Sequence, residues 1–568
     1  MALSEGNRIR LVRDIAGRGL IKDRNNIVMV RNKPAFRLEL DSTVCGRKEE
    51  EFNSCINAVE NITRPNGIDY DRVRLLRDLK EGKQVVVVAS GLTKEQILPL
   101  EPRLLNTKGF YISTHPQRDY IYGESSAHVL GYVGGGDMSY PNVEGKTGVE
   151  EFYNSFLTGV DGGELIQVDA SGQKVETLSH ITPIPGKDIN LFLDSSIQTI
   201  AYNELKKVVM EKKAVAGAVI ATDPITGGVL GLVSYPAFDP NTLSTGLKSE
   251  DFEKLINDSA FPFFNRAVSA VYPPASTFKM MMASAGLMEK TISKDTTIDD
   301  KGYIQVGSFI FRNWKLDGHG IVNVLRALQV SNDTFFYSVG GGYQSIAGLG
   351  MEKISSWAEK FRYGKLTGID ISGEAKGHMP DGKSREWYLG DTYITSIGQG
   401  DVLATPLQVN LVTSYFANGG KFIAPRVVKA IDNQPTSSSV LAENIIDETT
   451  YSLVREGLKL AVMPGGTGYP FFDFPSKYGV EVAGKTGTAE FGYGDKINTH
   501  AWFTVWGPFS PLQESAQTQT QEKPKRGSIV VTVFLEEGGS GADNAAPIAR
   551  KIFDYWFGPQ LSNQNRNP

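Results

Sequence analysis

Stretches that read as strands of one sheet stand far apart in this chain of 568 residues. "AGAVIATDPITGGVLGLVSYP", residues 216–236, sets apolar runs on either side of a turn from Asp223 to Gly228, which predicts a hairpin. Comparable runs return only around 480–483, 501–506 and 528–535. Between them, residues 250–470 carry mostly helical periodicity. A helix at 195–212 and another in "NAAPIARKIFDYWF" flank the set. Strands from both ends that enclose a helical insert predict an α+β domain, an antiparallel sheet flanked by helices.

The first 190 or so residues read differently. They hold short β-like pieces, among them "GLIKDRNNIVMV" with an Asn25-Asn26 turn, "QVVVVAS" and "ELIQVDASGQKVETL". Two helices are expected near 49–62 and 68–79, and "PIPGKDINLFLD" ends in a strand. A boundary near Asp188 then divides the chain into a β-rich module, 1–187, and the α+β domain, 188–568. The polar, Gln-rich segment 510–528 reads as an exposed loop between two strands.

Composition narrows the function classes. A net charge of −5 gives no footprint for a nucleic-acid partner. Cys45 and Cys55 are too few for a cysteine metal site, and they suit one bridge or two free thiols equally. The six histidines show no paired metal-ligand spacing. No apolar run reaches the length of a membrane helix, and "MALSEGNRIRLVRD" lacks the apolar core of a signal peptide.

"GVEVAGKTGTAE", residues 479–490, begins with a full match to the phosphate loop of nucleotide hydrolases. Such a loop needs a helix that starts at its Lys-Thr pair, so that backbone amides cradle phosphate. Here Gly487, Gly492, Gly494 and Asp495 follow without helical period, so a strand running on into a loop is expected. The nucleotide reading fails on that context. A second "GKTG" at 145–148 lacks the earlier glycine, since Tyr140 stands there.

Other chemistry needs a nucleophile. "YPPASTFKMMMASAGLMEK" places Ser276 at the start of a buried helix, with Lys279 three positions on and on the same face. A desolvated lysine with a lowered pKa can take the serine proton. A second Ser-x-x-Lys, Ser171 to Lys174, sits in a Gly-containing turn with no helix to set its geometry. Fifty-five residues after Ser276 comes "VSNDTFFYSVG" with Ser331 and Asp333, and 154 further on come Lys485, Thr486 and Gly487. Ser-x-x-Lys, Ser-x-Asn/Asp and Lys-Thr-Gly in that order form the signature of penicillin-recognising serine enzymes.

The chain resembles the class B penicillin-binding proteins of the penicillin-binding protein 2 type over nearly its whole length. The shared blocks include "RGLIKDRNN", "YGESSAHVLGYV", "GKTGVEEFY", "NRAVSAVYPPAST", "NWKLDGHG", "SIGQGDVLATPLQ", "AGKTGTAE" and "HAWFTVWGPF". The resemblance implies a peptidoglycan D,D-transpeptidase that acts through an acyl-enzyme on Ser276 and is the target of β-lactams. Lys279 is then the base, Ser331 relays the proton, and Asp333 stands where the wider family has asparagine. Lys485, Thr486 and Thr488 bind the terminal carboxylate beside Gly487, and the amides of Ser276 and Thr488 form the oxyanion hole.

It also implies a pedestal in 1–187 for dimerisation or partner docking, with the early GKTG as a structural turn. The implied partners are stem peptides, a membrane glycosyltransferase and other elongation proteins. The implied place is the outer side of the inner membrane, on an anchor helix that would precede "NRIRLVRDIAGRGLIKDRNN"; the expectation is a chain trimmed of that anchor. No cofactor is expected. Some relatives hold a metal on acidic residues, a histidine and a cysteine. Asp300 and His319 match that set, but Asn313 and Asn332 replace an aspartate and the cysteine, so no metal is expected. A β-lactamase or sensor would be shorter, a D,D-carboxypeptidase would share the acyl-enzyme, and a silent scaffold would not need the intact motifs.

Overall fold

The computed structural model describes residues 9–45, 49–83, 85–104, 107–135, 143–168, 174–245, 249–493, 496–510 and 527–558. Ser171 of the second Ser-x-x-Lys and most of the Gln-rich segment 510–528 lie outside them. The chain forms two units that interleave in sequence. The first comprises Met1–Leu191, Phe238–Ser259 and Val428–Thr436, and the second Phe192–Ala237, Ala260–Val427 and Ser437–Pro568.

In the first unit, β1 (Ile9–Asp14), β2 (Ile21–Lys22), β3 (Val28–Asp41), β4 (Val85–Leu92) and β5 (Phe110–Tyr120) are followed by β6 (Gly162–Val168), β7 (Lys174–Ile181) and β8 (Ile189–Leu191). β1, β6 and β7 make one small sheet, while β3 pairs with β2, β4 and β5 in a larger one. The Asn25-Asn26 turn closes because Asp23 Oδ1 accepts from the amides of Asn25 and Ile27, at 2.7 and 2.9 Å. Helices Glu49–Thr63 and Arg72–Lys80 cover the sheet with a core that includes Leu38, Leu40, Val59, Leu75 and Val86. The second helix begins at Arg72, later than expected, because the Asp71 side chain caps it through Arg74 N. Cys45 and Cys55 are joined in a disulfide. The early GKTG is the turn between strand Val143–Gly145 and the five-residue helix Gly148–Phe152.

The second unit opens with α1 (Ser195–Met210), whose N-cap Asp194 accepts from the amides of Ser196 and Ile197. The hairpin β9 (Ala216–Thr222) and β10 (Val229–Tyr235) follows. The insert contributes α2 (Lys279–Met288), α3 (Asp333–Gly341) and α4 (Pro406–Ala417). β11 (Ala483–Tyr493), β12 (Lys496–Gly507), β13 (Ile529–Glu536) and α5 (Ala546–Phe557) close the unit. The sheet order is β10-β9-β13-β12-β11, antiparallel throughout.

Alternation along β12 sorts the two faces. Ala501, Phe503 and Val505 join the core that contains α1 and α5 residues, whereas Trp502 and Trp506 join the core of the insert. Four buried polar side chains at the sheet–α4 junction satisfy one another: Thr413–Thr504 and Thr504–Thr532 at 2.8 Å, and Asn410–Thr532 at 3.2 Å. The third motif departs from expectation. No strand covers 480–482; the strand begins at Ala483 and runs through the glycines to Tyr493, paired residue for residue with β12. The continuous ladder offsets the weak strand propensity of Gly487 and Gly492.

Candidate active site

Two prolines lead into a tight 3₁₀ turn, Ala275–Phe278, that continues as α2. Ala275 takes a left-handed φ of 50° and donates its amide to Gly398 O at 2.8 Å. Gly398 fits because any Cβ there would lie 2.3 Å from Ala275 O. Thr277, Phe278 and Lys279 are fully buried, and Ser276 alone of the turn reaches solvent.

The second motif sits at the start of α3. Its cap is Asn332, whose Oδ1 accepts from Phe335 N at 2.7 Å, so the Ser331 hydroxyl is not used as a cap. Ser331 also adopts a left-handed backbone, with φ 54°. Lys279 Nζ donates to Ser331 O at 2.9 Å and to Asp333 Oδ1 at 2.6 Å. Lys485 Nζ donates to Ser331 Oγ at 2.7 Å and to Thr486 O at 3.0 Å. Lys279, Ser331, Asp333 and Lys485 therefore form one hydrogen-bonded path that starts on the helix of Ser276.

The third motif lies on the sheet edge, where β11 pairs with β12 alone. Glu490 N donates off that edge, to Gln399 Oε1 at 3.3 Å. Thr486 O also points off it, to receive Lys485. Backbone polar groups alternate along a strand, so the Thr488 amide lies on the same free edge. Gly487 makes the close approach possible: a Cβ there would sit 3.0 Å from Trp502 Cβ and 3.4 Å from both Ala275 Cβ and Thr277 Cγ2. Thr488 is exposed, and Thr486 Oγ1 meets Thr467 Oγ1 at 2.7 Å.

Both lysines are pushed below the ordinary lysine pKa. For Lys279 burial is the main cause, and the carboxylate of Asp333 opposes it. Lys485 is driven further down, by burial and then by the neighbouring charge of Lys279. Two buried ammonium groups face one carboxylate, so each charge opposes the other.

Comparison with known proteins now bears on this geometry. The penicillin binding protein transpeptidase domain matches residues 217–554, more than half of the chain, and the penicillin-binding protein dimerisation domain matches 13–191. The chain belongs to the penicillin-binding protein transpeptidases. It is 32% identical to a Haemophilus influenzae protein named peptidoglycan D,D-transpeptidase MrdA, over 98% of this chain and 87% of that one. Identity to the Escherichia coli K12 protein of that name is 30%, over 97% and 88%. Among solved structures, the Helicobacter pylori PBP2 in complex with MreC matches with a TM-score of 0.78 at 28% identity, covering 96% of this chain and 99% of that one. A chain from a peptidoglycan synthase complex matches with 0.75 at 27% identity, covering 98% and 92%.

Several residues of this candidate site lie outside the three motifs. The Trp314 amide donates to Asp333 Oδ2 at 3.1 Å, and its indole N–H donates to Val330 O at 3.0 Å. Gln399 and Thr467 brace β11 from segments distant in sequence. The "NWKLDGHG" block, read only as a resemblance, supplies Asn313, Trp314 and His319.

The metal set known in some penicillin-binding proteins does not fit here. Asp300 Oδ2 accepts from Asn332 Nδ2 at 2.6 Å and from Asn313 Nδ2 at 2.7 Å, and it lies 3.1 Å from His319 Nδ1. Both amide orientations are cross-fixed. Asn332 Oδ1 accepts from Phe335 N and Thr334 Oγ1, and Asn313 Oδ1 accepts from Asp333 N. The asparagines thus present N–H donors where a cation needs lone pairs. Among the described residues no group of three or more His, Cys, Asp or Glu could hold a metal ion.

Proposed function

We propose that the chain is a peptidoglycan D,D-transpeptidase that works through Ser276. The observation that carries this reading is the path Lys279–Ser331–Lys485, with contacts of 2.9 and 2.7 Å to the Ser331 carbonyl and hydroxyl. Ser276 Oγ attacks the carbonyl between the two terminal D-alanines of a donor stem peptide. Lys279, its pKa lowered by burial, takes the hydroxyl proton. Ser331 relays a proton to the departing D-alanine amine, and Asp333 holds Lys279 in place. An acyl-enzyme on Ser276 remains, and the amine of a neighbouring stem peptide resolves it.

The amides of Ser276 and Thr488 form the oxyanion hole; one such donor is worth about 3 kcal/mol of the barrier. Lys485, Thr486 and Thr488 receive the terminal carboxylate at the β11 edge beside Gly487. The first unit, matched by the dimerisation domain, is the module for elongation partners, in keeping with relatives solved with MreC and in a peptidoglycan synthase complex. A membrane glycosyltransferase is the expected neighbour, on the outer side of the inner membrane. Among the described residues no helix is long and apolar enough to cross a membrane.

The test is intact-mass analysis after benzylpenicillin. One covalent adduct is expected, absent in Ser276→Ala and kept in Ser171→Ala. An adduct that survives Ser276→Ala overturns the reading. Cross-linked dimers from synthetic strands separate transpeptidation from hydrolysis to a shortened stem.

A further inference from the structure

The blocks "RGLIKDRNN" and "GKTGVEEFY" take no part in the chemistry at Ser276, yet they meet inside the first unit. Arg18 and Arg118 clamp the fully buried Glu150 at 2.6 and 2.7 Å. Burial opposes the charge of Glu150, but the two guanidinium groups hold its carboxyl below the usual range. Beside this triad lies a cavity of about 290 Å³, lined by Arg18, Asn32, Arg37, His115, Arg118 and Asp161, with Ile15, Pro116 and Val160 as apolar wall.

Three side-chain nitrogens around it have no partner among the described residues. Arg118 is 4% exposed: its Nε and Nη1 are bonded, but Nη2 has no partner among the described residues. His115 is 7% exposed and its Nδ1 is likewise unpartnered, as is Nε of Arg37. Buried donors with no acceptor are costly, so native folds rarely keep several around one cavity without an occupant. Three guanidinium groups against the carboxylates of Glu150 and Asp161 leave one net positive charge at the wall. Glu39 and Arg74 also face Arg37, with opposite signs.

We propose that this cavity is a binding site for a small oxyanion, a carboxylate or phosphate group on an organic body. Arg37, Arg118 Nη2 and His115 Nδ1 are its donors. The volume is near that of ten water molecules, which is more than an inorganic ion fills and suits a ligand with an apolar part against Ile15, Pro116 and Val160. In the free protein, burial and then the charge of Arg37 push His115 down to about 3. A bound anion offsets the charge of Arg37, the second of those causes, and so raises the pKa of His115 toward its ordinary value.

The test uses the full chain with histidines labelled at the ring carbon, titrated with inorganic phosphate or with acetate at constant ionic strength. His115→Gln identifies the signal. The expected result is a saturable shift of His115 with either probe and a raised His115 pKa at saturation. Arg37→Gln should weaken the tighter probe at least fivefold and leave the rate of penicillin acylation unchanged. Tighter phosphate points to a phosphate ester, and tighter acetate to an organic acid. A His115 signal that does not move, that drifts linearly like the exposed His180, or that responds equally in Arg37→Gln overturns the proposal. Because acylation at Ser276 is read separately, failure here leaves the transpeptidase reading intact.

Discussion

At the residue scale the site depends on who neutralises whom. Lys279 keeps a carboxylate partner and, among the described residues, Lys485 has hydroxyl and carbonyl acceptors alone, so the two lysines are inequivalent although both are fully buried. Ser331 sits between them in a left-handed conformation. Asn332 fixes that conformation by capping α3 and pairing with Asp300. Asn332→Ala should therefore cost about 2 kcal/mol, the sum of a lost cap and one lost donor to the buried Asp300 carboxylate, in urea denaturation. It should also slow penicillin acylation. Asn332→Asp keeps the cap but sets a second carboxylate against Asp300, and it should be the more damaging. Equal stability of Asn332→Asp and the parent protein would show that Asp300 does not need its amide donors.

At the scale of elements, β11 packs against the turn that carries Ser276 and against β12 with little room to spare at Gly487. Trp502 ties the same region to the sheet through its indole N–H, which donates to Pro273 O at 3.0 Å. Gly487→Ala should press its new Cβ on Trp502 Cβ, at 3.0 Å, and shift β11 beside Ala275 and Thr277 by a few tenths of an ångström. Acylation by benzylpenicillin should fall by about tenfold or more, since small misplacements at a reacting centre are expensive. The thermal transition should move little, because Gly487 has no left-handed φ and the strain is local. Stopped-flow acylation and a melting curve on the same sample separate the two effects. An unchanged rate would mean that the spacing of these elements does not set the geometry of attack.

At the scale of the whole molecule, pH stability follows from histidines buried without charge. His500 lies on β12 between Phe491 and Tyr272, with ring centroids 4.2 and 5.0 Å away, and its Nδ1 accepts from Glu537 N. Burial pushes it down to about 4, against the pull of Glu536. The unfolded chain binds this proton near pH 6.5 and the folded one only near 4. The contribution to stability is therefore complete above pH 6.5 and is lost as pH falls toward 4, by at most roughly 3 kcal/mol. His115, in the first unit, moves in the same direction. The check is thus the difference between the parent protein and His500→Gln in melting temperature from pH 7.5 to 4. Parallel curves would remove His500 as a source of acid sensitivity.

Local pattern was enough to place most elements and to single out the residues proposed to carry the chemistry. The hairpin around Asp223–Gly228, α1 and α5 are set by periodicity and caps within short windows, and Ser276 with Lys279 is an (i, i+3) pair. The three motifs were legible because each carries its residue types at fixed spacing. What pattern could not decide is what lies next to each of them. The length of β11 depends on a ladder from β12, and the cap of α3 leaves the Ser331 hydroxyl to Lys485. Trp314, Gln399 and Thr467 reach the site from outside the three motifs, the first two from blocks read only as a resemblance, and stretches 238–259 and 428–436 join the first unit. Burial, charge and hydrogen-bond partners are properties of residues distant along the chain, so only the tertiary structure decided which lysine carries a carboxylate and which donors stand unpaired.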